Sequence, residues 1–389
     1  MSYNFMIESL RGAAAGIAAV LALLALPAST TAGTQRGNGE VFGQLPDGRA
    51  VERFRLVNAR GMQVELIPYG AAIASIRLAR PSGPPVEVVV GPGDLATFTK
   101  RRFGQIVGRY AGRLRGEIVI DGVRYPLATN ASGVTVHGGD PGYDRALWRG
   151  TPFSNAGGSG VTFALISPDG EQGFPGRLKL TARYFLARTS NTLTLDIQGL
   201  SDRPSVANLT NHVFFNLAGE GTIGCHTLSA AARRYVAIDA RKLPTGVLPG
   251  VRRTRFDFTR PRPLAPLLQS GGLDDMIVLQ SGGAVRLRDP ASGRTMTMTT
   301  NQPGVQLFTG NGFDGSMLDQ RGRPIVRHAG IALEAMGFPD SPWFRHFPST
   351  AVTPARPLHW HTSWAFSNAS PTPEHCPGPV ARAALYPST

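Results

Sequence analysis

Apolar and polar residues alternate along most of the chain with a period of two. That period places successive side chains on opposite faces of an extended strand, whereas a helix repeats every 3.6 residues. Gly, Pro, Asn and Asp turns separate the alternating segments. The clearest predicted strands are residues 62–67, 86–90, 161–166, 178–185, 192–197, 284–288 and 295–299. Many short strands with frequent turns and few helical patterns predict an all-β fold, a large antiparallel β-sandwich.

The strand pattern predicts one large domain over residues 49–369, because no linker interrupts it. Large all-β domains of this length are not unusual. Residues 33–48 are predicted to be a flexible leader. Residues 370–389 are rich in proline and are predicted to be a C-terminal tail lying on the surface.

The N-terminal residues have the pattern of an export signal. Arg11 precedes an apolar stretch over 12–26, and residues 27–32 are small or turn-forming, as a signal peptidase requires. The alternative is an uncleaved membrane anchor, but the apolar run is short for a bilayer span of about 20 residues. We therefore predict a signal peptide over 1–32, a periplasmic or secreted protein, and no membrane attachment after cleavage.

The formal net charge of +14 raises the hypothesis of a nucleic-acid partner. Almost all of the positive charge is arginine, and the only lysines are Lys100, Lys179 and Lys242. The arginines are spread through the chain instead of being gathered in a run, which indicates a compositional bias. We predict no nucleic-acid partner.

Two cysteines, Cys225 and Cys376, are the whole complement of the chain. In an oxidising compartment they can form a disulfide, and two unpaired buried thiols are the alternative that the sequence leaves open. The cysteines and histidines lack the spacing of a zinc site. His359 and His361 would share one face of a strand, which is more often a structural arrangement. We predict no metal.

Residues 208–219 (NLTNHVFFNLAG) place a titratable imidazole, His212, in a segment that otherwise has the pattern of a buried strand. Alternation puts Thr210, Phe214 and Asn216 on its face, and directs Leu209, Val213 and Phe215 into a core. The asparagines at 208, 211 and 216 frame the imidazole with neutral hydrogen-bonding groups. A face of this kind suits a neutral, hydroxyl-rich ligand and suits a phosphate poorly.

Glu334 is the most unusual polar residue, because it lies inside an otherwise apolar strand. Such a carboxylate needs partners or a ligand face, and a salt bridge to an arginine is the alternative to a functional role. His137 precedes two glycines that allow a close approach of backbone to ligand, and Asp274 lies at a turn that leads into an apolar strand.

Two arginines, Arg109 and Arg113, add fork-shaped donors that suit sugar hydroxyls or a carboxylate, or a packed ion pair. A carboxylate and an imidazole are what general base and general acid catalysis need, and each typically contributes about 10²- to 10⁴-fold. A reaction that moves only protons needs no metal and no nucleotide. The sequence has no convincing phosphate-binding glycine loop or nucleophile elbow, so we predict no cofactor.

Taken together, these motifs resemble the aldose 1-epimerase (galactose mutarotase) family over residues 51–368. Seven segments carry the resemblance in the family's order: 103–113 (FGQIVGRYAGR), 136–139 (VHGG), 167–176 (SPDGEQGFPG), 208–219, 243–246 (LPTG), 302–306 (QPGVQ) and 333–340 (LEAMGFPD). The resemblance implies a galactose mutarotase-like supersandwich whose open face holds one pyranose. It also implies a monomer or homodimer that interconverts the α and β anomers of free aldoses of the glucose and galactose type.

The resemblance also implies a role for each matched residue. His212 matches the general acid that protonates the ring oxygen, and Glu334 matches the general base that takes the proton of the C1 hydroxyl. His137 matches a histidine that hydrogen-bonds the substrate near the ring oxygen. Asp274 and Arg113 match the groups that grip sugar hydroxyls.

Three positions depart from the family pattern: Gly112 stands where the family usually has Asn, Asp275 where it commonly has His, and Met336 where it has Gln. The aromatic residue that the family often has near position 98 is Phe98. The acid–base pair is intact, and the changes affect the sugar preference. Two other hypotheses stay open at this point. One is a glycoside-active enzyme that uses Glu334 with Asp274, and the other is a non-catalytic sugar-binding module.

Overall fold

The computed structural model describes residues 40–372. They form 29 strands and two short α-helices, and the paired strands run antiparallel. The predicted all-β antiparallel sandwich is confirmed. No helix in this range is long and apolar enough to span a membrane. The predicted signal peptide and Cys376 lie outside the described residues, so export and the pairing of Cys225 stay predictions.

The strands are numbered in chain order. The first twelve are β1 Val41–Gln44, β2 Ala50–Glu52, β3 Phe54–Val57, β4 Gln63–Ile67, β5 Ala72–Leu78, β6 Val86–Glu87, β7 Val89–Val90, β8 Ile106–Val107, β9 Arg113–Arg115, β10 Glu117–Ile120, β11 Val123–Pro126 and β12 Val134–Val136. The next ten are β13 Arg149–Asn155, β14 Gly158–Ser167, β15 Leu178–Ala187, β16 Thr192–Ser201, β17 Ser205–Val206, β18 Thr210–Asn211, β19 Phe214–Phe215, β20 Thr227–Ala230, β21 Ala232–Tyr235 and β22 Arg262–Pro263. The last seven are β23 Asp274–Leu279, β24 Ala284–Arg288, β25 Arg294–Thr300, β26 Gly304–Phe308, β27 Ile331–Met336, β28 Ala351–Val352 and β29 Leu358–Asn368. The helices are α1 Leu95–Phe98 and α2 Ala265–Gln269.

Three sheets build the sandwich. The largest has nine strands in the order β13-β14-β15-β16-β29-β25-β24-β20-β22. A six-stranded sheet has the order β21-β23-β26-β27-β19-β7, and a four-stranded sheet has the order β3-β4-β5-β6. One continuous cluster of buried apolar side chains contains residues of all three sheets. Each of the seven predicted strand segments contains strand in the structure.

The predicted strand over 86–90 is divided between two sheets. β6 pairs with β5 in the four-stranded sheet, whereas β7 pairs with β19 in the six-stranded sheet. The side chain of Glu87 accepts hydrogen bonds from the backbone N–H groups of Ile76 (2.9 Å) and Val89 (3.3 Å) at this junction. Those bonds replace the ladder bonds that a continuous strand would make.

The chain enters the sandwich earlier than the sequence predicts. β1 lies inside the predicted leader, residues 33–48, and pairs with β2. Phe42 makes an edge contact with Phe98 at 5.6 Å, and the guanidinium of Arg53 lies 5.0 Å from the Phe42 ring centre. Phe42 thus has one aromatic partner and one cationic partner. These two contacts fix β1, although the polar composition of the predicted leader suggests flexibility.

The alternation along β27 separates the core from the functional face. Leu333 and Ala335 belong to the main core cluster, and the indole N–H of Trp360 donates to the carbonyl of Ala335 at 2.8 Å. Glu334 and Met336 point to the opposite face of the strand. All six residues of β27 are buried, so both faces of this strand are covered.

Candidate active site

A cavity of about 260 Å³ lies on the face of the six-stranded sheet that points away from the core. Its lining includes all five residues to which the family resemblance assigns a role, namely Arg113, His137, His212, Asp274 and Glu334. Drug-sized ligands occupy pockets of roughly 300–1,000 Å³, so this volume suits a smaller, single-ring ligand. The structure therefore brings together residues that are more than 200 positions apart in the chain.

Three adjacent strands, β23, β26 and β27, supply the base of the cavity. Gln306 lies directly opposite Glu334 across β26 and β27, and Asp274 lies opposite Phe308 across β23 and β26. Because cross-strand neighbours share a face, these side chains project into one cavity. The side-chain amide of Gln306 donates to Asp274 Oδ1 at 2.8 Å, which links two of the strands at the cavity base.

His212 lies between two short strands, β18 and β19, where the sequence predicts a continuous one. The strand is interrupted because the Asn211 side chain takes over backbone partners: its amide donates to the Gly104 carbonyl (2.6 Å) and its oxygen accepts from the Val213 N–H (3.1 Å). The core-facing half of the predicted alternation agrees with the structure, since Leu209, Val213 and Phe215 all belong to the core cluster.

Aromatic rings hold the imidazole of His212 in place. Its ring centre lies 5.1 Å from that of Phe214 and 6.2 Å from that of Phe308, the latter in an edge arrangement. The His137 ring lies 5.6 Å away, also in an edge arrangement. Packing on several sides therefore holds the imidazole in one orientation. A side chain that transfers protons to and from a ligand requires such a fixed orientation.

His212 and Glu334 form the central pair, with Nε2 of the histidine 3.7 Å from Oε1 of the glutamate. Burial lowers the pKa of His212 to about 4, and the charge of Arg102 acts in the same direction. Burial raises the pKa of Glu334 to about 8, and the negative charge of Asp274 adds to this shift. Both shifts favour the neutral forms, so the pair shares one proton near neutral pH.

Each member of this pair also has a buried polar atom without a hydrogen bond. Within residues 40–372, His212 Nδ1 and Glu334 Oε2 have no hydrogen-bond partner. Buried polar atoms are almost always paired, so an exception is a marker of a strained or functional site. Glu334 has no ion pair with an arginine in this range, and the structural alternative for this residue is not supported.

His137 is oriented by the backbone of the neighbouring strand. It follows β12, and its Nδ1 accepts a hydrogen bond from the Gly112 N–H at 3.2 Å. Burial, Arg102, His212 and Arg113 hold the pKa of His137 well below its usual range. The ring is therefore neutral, and because Nδ1 is an acceptor, the proton resides on Nε2. His137 is a neutral hydrogen-bond donor.

The same tautomer bears on metal binding. Nitrogen and oxygen atoms of His137, His212 and Glu334 lie within 4.8 Å of one another, which is close enough to surround an ion. A metal ligand must offer a lone pair, however, and the Nδ1 lone pair of His137 is engaged by Gly112 while Nε2 carries the proton. The residues present fit a proton-transfer site better than a metal centre.

Asp274 is surrounded by donors. Arg113 donates to its Oδ2 at 3.2 Å, Lys242 contacts the same oxygen, and Gln306 donates to Oδ1. Burial alone would raise the pKa of Asp274, but these three partners outweigh burial and lower it. Asp274 is therefore an ionised acceptor held in a fixed orientation, which suits the hydroxyl groups of a sugar.

The three asparagines that the sequence places around His212 bind the protein backbone and have a structural role. The amide of Asn208 donates to the carbonyls of Ala111 and Gly337, and that of Asn216 donates to Glu220, Gly221 and Ala329 carbonyls. The asparagines at 208, 211 and 216 thus support backbone and do not face the ligand. This assignment from the sequence was wrong because alternation says nothing about which partner a buried amide finds.

Arg109 and the glycines after His137 are also structural. Arg109 is buried, donates to the Pro175 carbonyl and to Ser205 Oγ, both at 3.0 Å, and does not line the cavity. A Cβ atom at Gly138 would lie 2.2 Å from the backbone nitrogen of Arg109. That glycine therefore allows backbone to approach backbone, where the sequence predicts an approach to a ligand.

Two of the departures from the family pattern, Gly112 and Met336, lie on one wall of the cavity. Gly112 has φ +77°, and a Cβ there would lie 2.9 Å from Pro339 Cγ and 3.6 Å from Met336 Sδ. Gly112, Met336 and Pro339 thus form an apolar wall in place of amide groups. Asp275 lines the cavity as predicted, whereas Phe98 is a core residue that does not.

Five charged or amide side chains that line the cavity are not predicted as site residues from the sequence, namely Lys100, Arg101, Arg102, Lys242 and Gln306. Gln306 had a usable signal, a polar residue that alternates with apolar ones in Val305-Gln306-Leu307. Lys242 lies in a turn with φ +62° and reaches Asp274 from a distant part of the chain. Nothing in local sequence indicates that contact.

Comparison with known proteins agrees with the geometry. The sequence profile of the family described as Aldose 1-epimerase matches residues 52–364. Galactose mutarotase of Rattus norvegicus is 36% identical over 337 residues, covering 83% of this chain and 96% of the relative. Aldose 1-epimerase of Escherichia coli (strain K12) is 30% identical over 319 residues, covering 78% and 91%. The crystal structure of galactose 1-epimerase from Lactobacillus acidophilus NCFM is similar with a TM-score of 0.75 and 26% identity, covering 84% of this chain and 97% of that chain.

Proposed function

The chain belongs to the aldose 1-epimerase family, and from this premise we propose how its cavity interconverts the α and β anomers of a free aldose. His212 is the general acid and Glu334 the general base. Asp274 and Arg113 hold sugar hydroxyls, and His137 donates to an oxygen near the reacting centre. The relative from Rattus norvegicus is named galactose mutarotase. We therefore propose galactose, together with glucose, as the first substrates to test.

Ring opening in this proposal moves two protons. Glu334 takes the proton of the C1 hydroxyl while His212 gives one to the ring oxygen, and the C1–O5 bond breaks to leave an aldehyde. Rotation about C1–C2 then presents the other face of the carbonyl. Closure returns both protons, so the pair ends each turnover in its starting state.

Burial has a defined effect on these steps. Before opening, the pair must be charged, with a carboxylate on Glu334 and an imidazolium on His212. After opening, both groups are neutral, which is the state that burial favours through the pKa shifts of both residues. The low-dielectric surroundings therefore support the open-chain intermediate relative to the charged starting pair.

The observation that carries the proposal is the 3.7 Å approach of His212 to Glu334 inside a cavity of single-ring size. The test follows the optical rotation of freshly dissolved α-galactose and α-glucose with wild type, Glu334→Gln and His212→Asn. We expect each variant to lose about 10²- to 10⁴-fold in rate. The control variants Glu117→Gln and His359→Asn change the same residue types outside the cavity and should retain wild-type rates.

The glycoside-active alternative predicts a different outcome. An enzyme that used Glu334 and Asp274 as a carboxylate pair would release the aglycone of an aryl glycoside, and His212→Asn would leave that activity largely intact. The proposal would be refuted if the wild-type protein released the aglycone and did not accelerate the mutarotation of either sugar over its uncatalysed rate. The intact acid–base pair favours the epimerase.

We also propose that the protein is exported and acts on sugars before uptake, on the basis of the N-terminal pattern over residues 1–32. Fractionation of cells and N-terminal sequencing of the mature protein test this. A mature chain that begins at Met1 and stays with the cytoplasm would refute it.

A further inference from the structure

Cationic side chains outnumber acidic ones around the cavity. Its lining contains five cations, Lys100, Arg101, Arg102, Arg113 and Lys242, and three acids, Asp274, Asp275 and Glu334. Burial raises the pKa of Glu334 to about 8, which leaves this acid largely uncharged near neutral pH. The entrance therefore carries a positive potential, although a neutral sugar requires none.

The cations fall into two groups with different partners. Arg113 and Lys242 are engaged by Asp274. Arg102 has its Nε 3.0 Å from Asp144, a buried residue outside the cavity. Lys100 and Arg101 are exposed and have no ion pair within residues 40–372, apart from a weak electrostatic influence of Arg101 on Asp314. Lys100 and Arg101 are therefore the two cavity cations that are available to a ligand.

The choice of lysine at this position is also unusual for this chain. Arginine supplies 37 of its 40 basic residues, and two of the three lysines, Lys100 and Lys242, line this cavity. General compositional bias, which accounts for the scattered arginines, does not account for lysines at the cavity. Lysine offers a compact, mobile ammonium group that can follow an anion on a small ligand.

We propose that the preferred substrates are aldoses that carry an anionic group away from C1, with the carboxylate of a hexuronic acid as the first candidate. This inference rests on the proposed epimerase function and adds a substrate class to it. Lys100 and Arg101 bind the anion at the cavity edge, while His212 and Glu334 act on C1 and the ring oxygen. A hexose 6-phosphate offers a similar anion, and the experiment separates the two.

The test measures mutarotation of galactose, galacturonic acid and galactose 6-phosphate by NMR exchange between anomers, at matched concentrations. The quantity compared is the ratio of kcat/KM for each acidic sugar to that for galactose. An exposed ion pair contributes at most roughly fivefold to affinity, so losing two in Lys100→Met/Arg101→Gln should lower the ratio about tenfold. Raising the salt from about 0.01 M to 1 M shortens the screening length from roughly 30 Å to 3 Å and should lower the ratio for wild type.

Lys179→Met is the matched control, because it removes the one lysine outside the cavity from an exposed position on β15. It should leave the ratio unchanged. Turnover of galactose with a ratio that responds to neither the double variant nor salt would overturn the anionic preference and leave the epimerase function standing. No catalysed exchange of any of the three sugars would instead refute the epimerase function. A higher ratio for the phosphate than for the carboxylate would assign the site to phosphorylated aldoses.

Discussion

Asn208 offers a sharp test of how the cavity is supported. Its side chain, 3% exposed, donates to the carbonyls of Gly337 (3.0 Å) and Ala111 (3.3 Å) and accepts from the Gly337 N–H (2.8 Å). Gly337 directly follows β27, the strand of Glu334, and Ala111 precedes Gly112. One amide thus joins two segments of the cavity wall. The substitution Asn208→Ala removes all three bonds without adding volume.

The magnitude follows from burial. A buried donor or acceptor that loses its partner costs about 1–3 kcal/mol, and three backbone groups lose theirs. We expect Asn208→Ala to lower the free energy of unfolding by ~3–5 kcal/mol, below the full sum because the 3.3 Å bond is the longest of the three. Native domains have only about 5–15 kcal/mol in total, so the change should be conspicuous.

The assay is reversible urea denaturation followed by tryptophan fluorescence, since Trp148, Trp360 and Trp364 are buried in the native state. Asn301→Ala is a matched control. Asn301 is exposed, and its side chain also takes part in three hydrogen bonds, with His359, His361 and Gln302. Water can replace those partners, so the control should lose less than about 1 kcal/mol.

Equal losses for the two variants would refute the reasoning, because both remove three bonds and differ in burial alone. A small loss for Asn208→Ala with a changed denaturant slope would point instead to an altered denatured state. A large stability loss should be accompanied by weaker catalysis, since the strand that positions the general base loses its support.

Three further outcomes are expected. The plot of kcat/KM against pH should be bell-shaped, falling below about pH 4, where the acid–base pair gains a second proton, and above about pH 8, where it loses its only one. A flat profile from pH 6 to 10 would contradict this assignment. Gly112→Asn should lower stability by ~1–3 kcal/mol because its Cβ meets Pro339 at 2.9 Å, and adding Pro339→Ala should restore part of the loss in the same denaturation assay. Gln306→Leu removes a donor from Asp274 and should raise KM about tenfold with little change in kcat, whereas an unchanged KM would show that this bond does not orient the carboxylate.

Local alternation was sufficient to predict strands, because burial on one face imposes a period of two wherever the ladder is regular. It was insufficient at the places where side chains replace ladder bonds. Glu87 divides residues 86–90 between two sheets, and Asn211 interrupts the strand around His212. In both segments the apolar pattern continues across the break, so periodicity alone cannot reveal it.

The residues of the candidate site also divide into those that the local sequence identifies and those that only the tertiary structure identifies. Glu334 and His212 were identifiable because a titratable residue in an apolar strand is costly and needs a reason. Lys242 was not, because its contact with Asp274 joins a turn to a strand 32 residues away. The roles of buried amides such as Asn208 were also beyond reach, since a neutral amide satisfies a backbone group as readily as a ligand.

The hydrogen bond from Gly112 to His137 has a consequence for the number of mobile protons in the cavity. It makes His137 behave like a backbone amide, a donor whose proton stays in place through the cycle. Two histidines with interchangeable tautomers would offer several routes for a proton and a risk of ending in an unproductive arrangement. Because the tautomer of His137 is fixed, only His212 and Glu334 exchange protons during a turnover. The aldehyde therefore meets the same protonation state of the cavity whichever of its two faces is presented for ring closure.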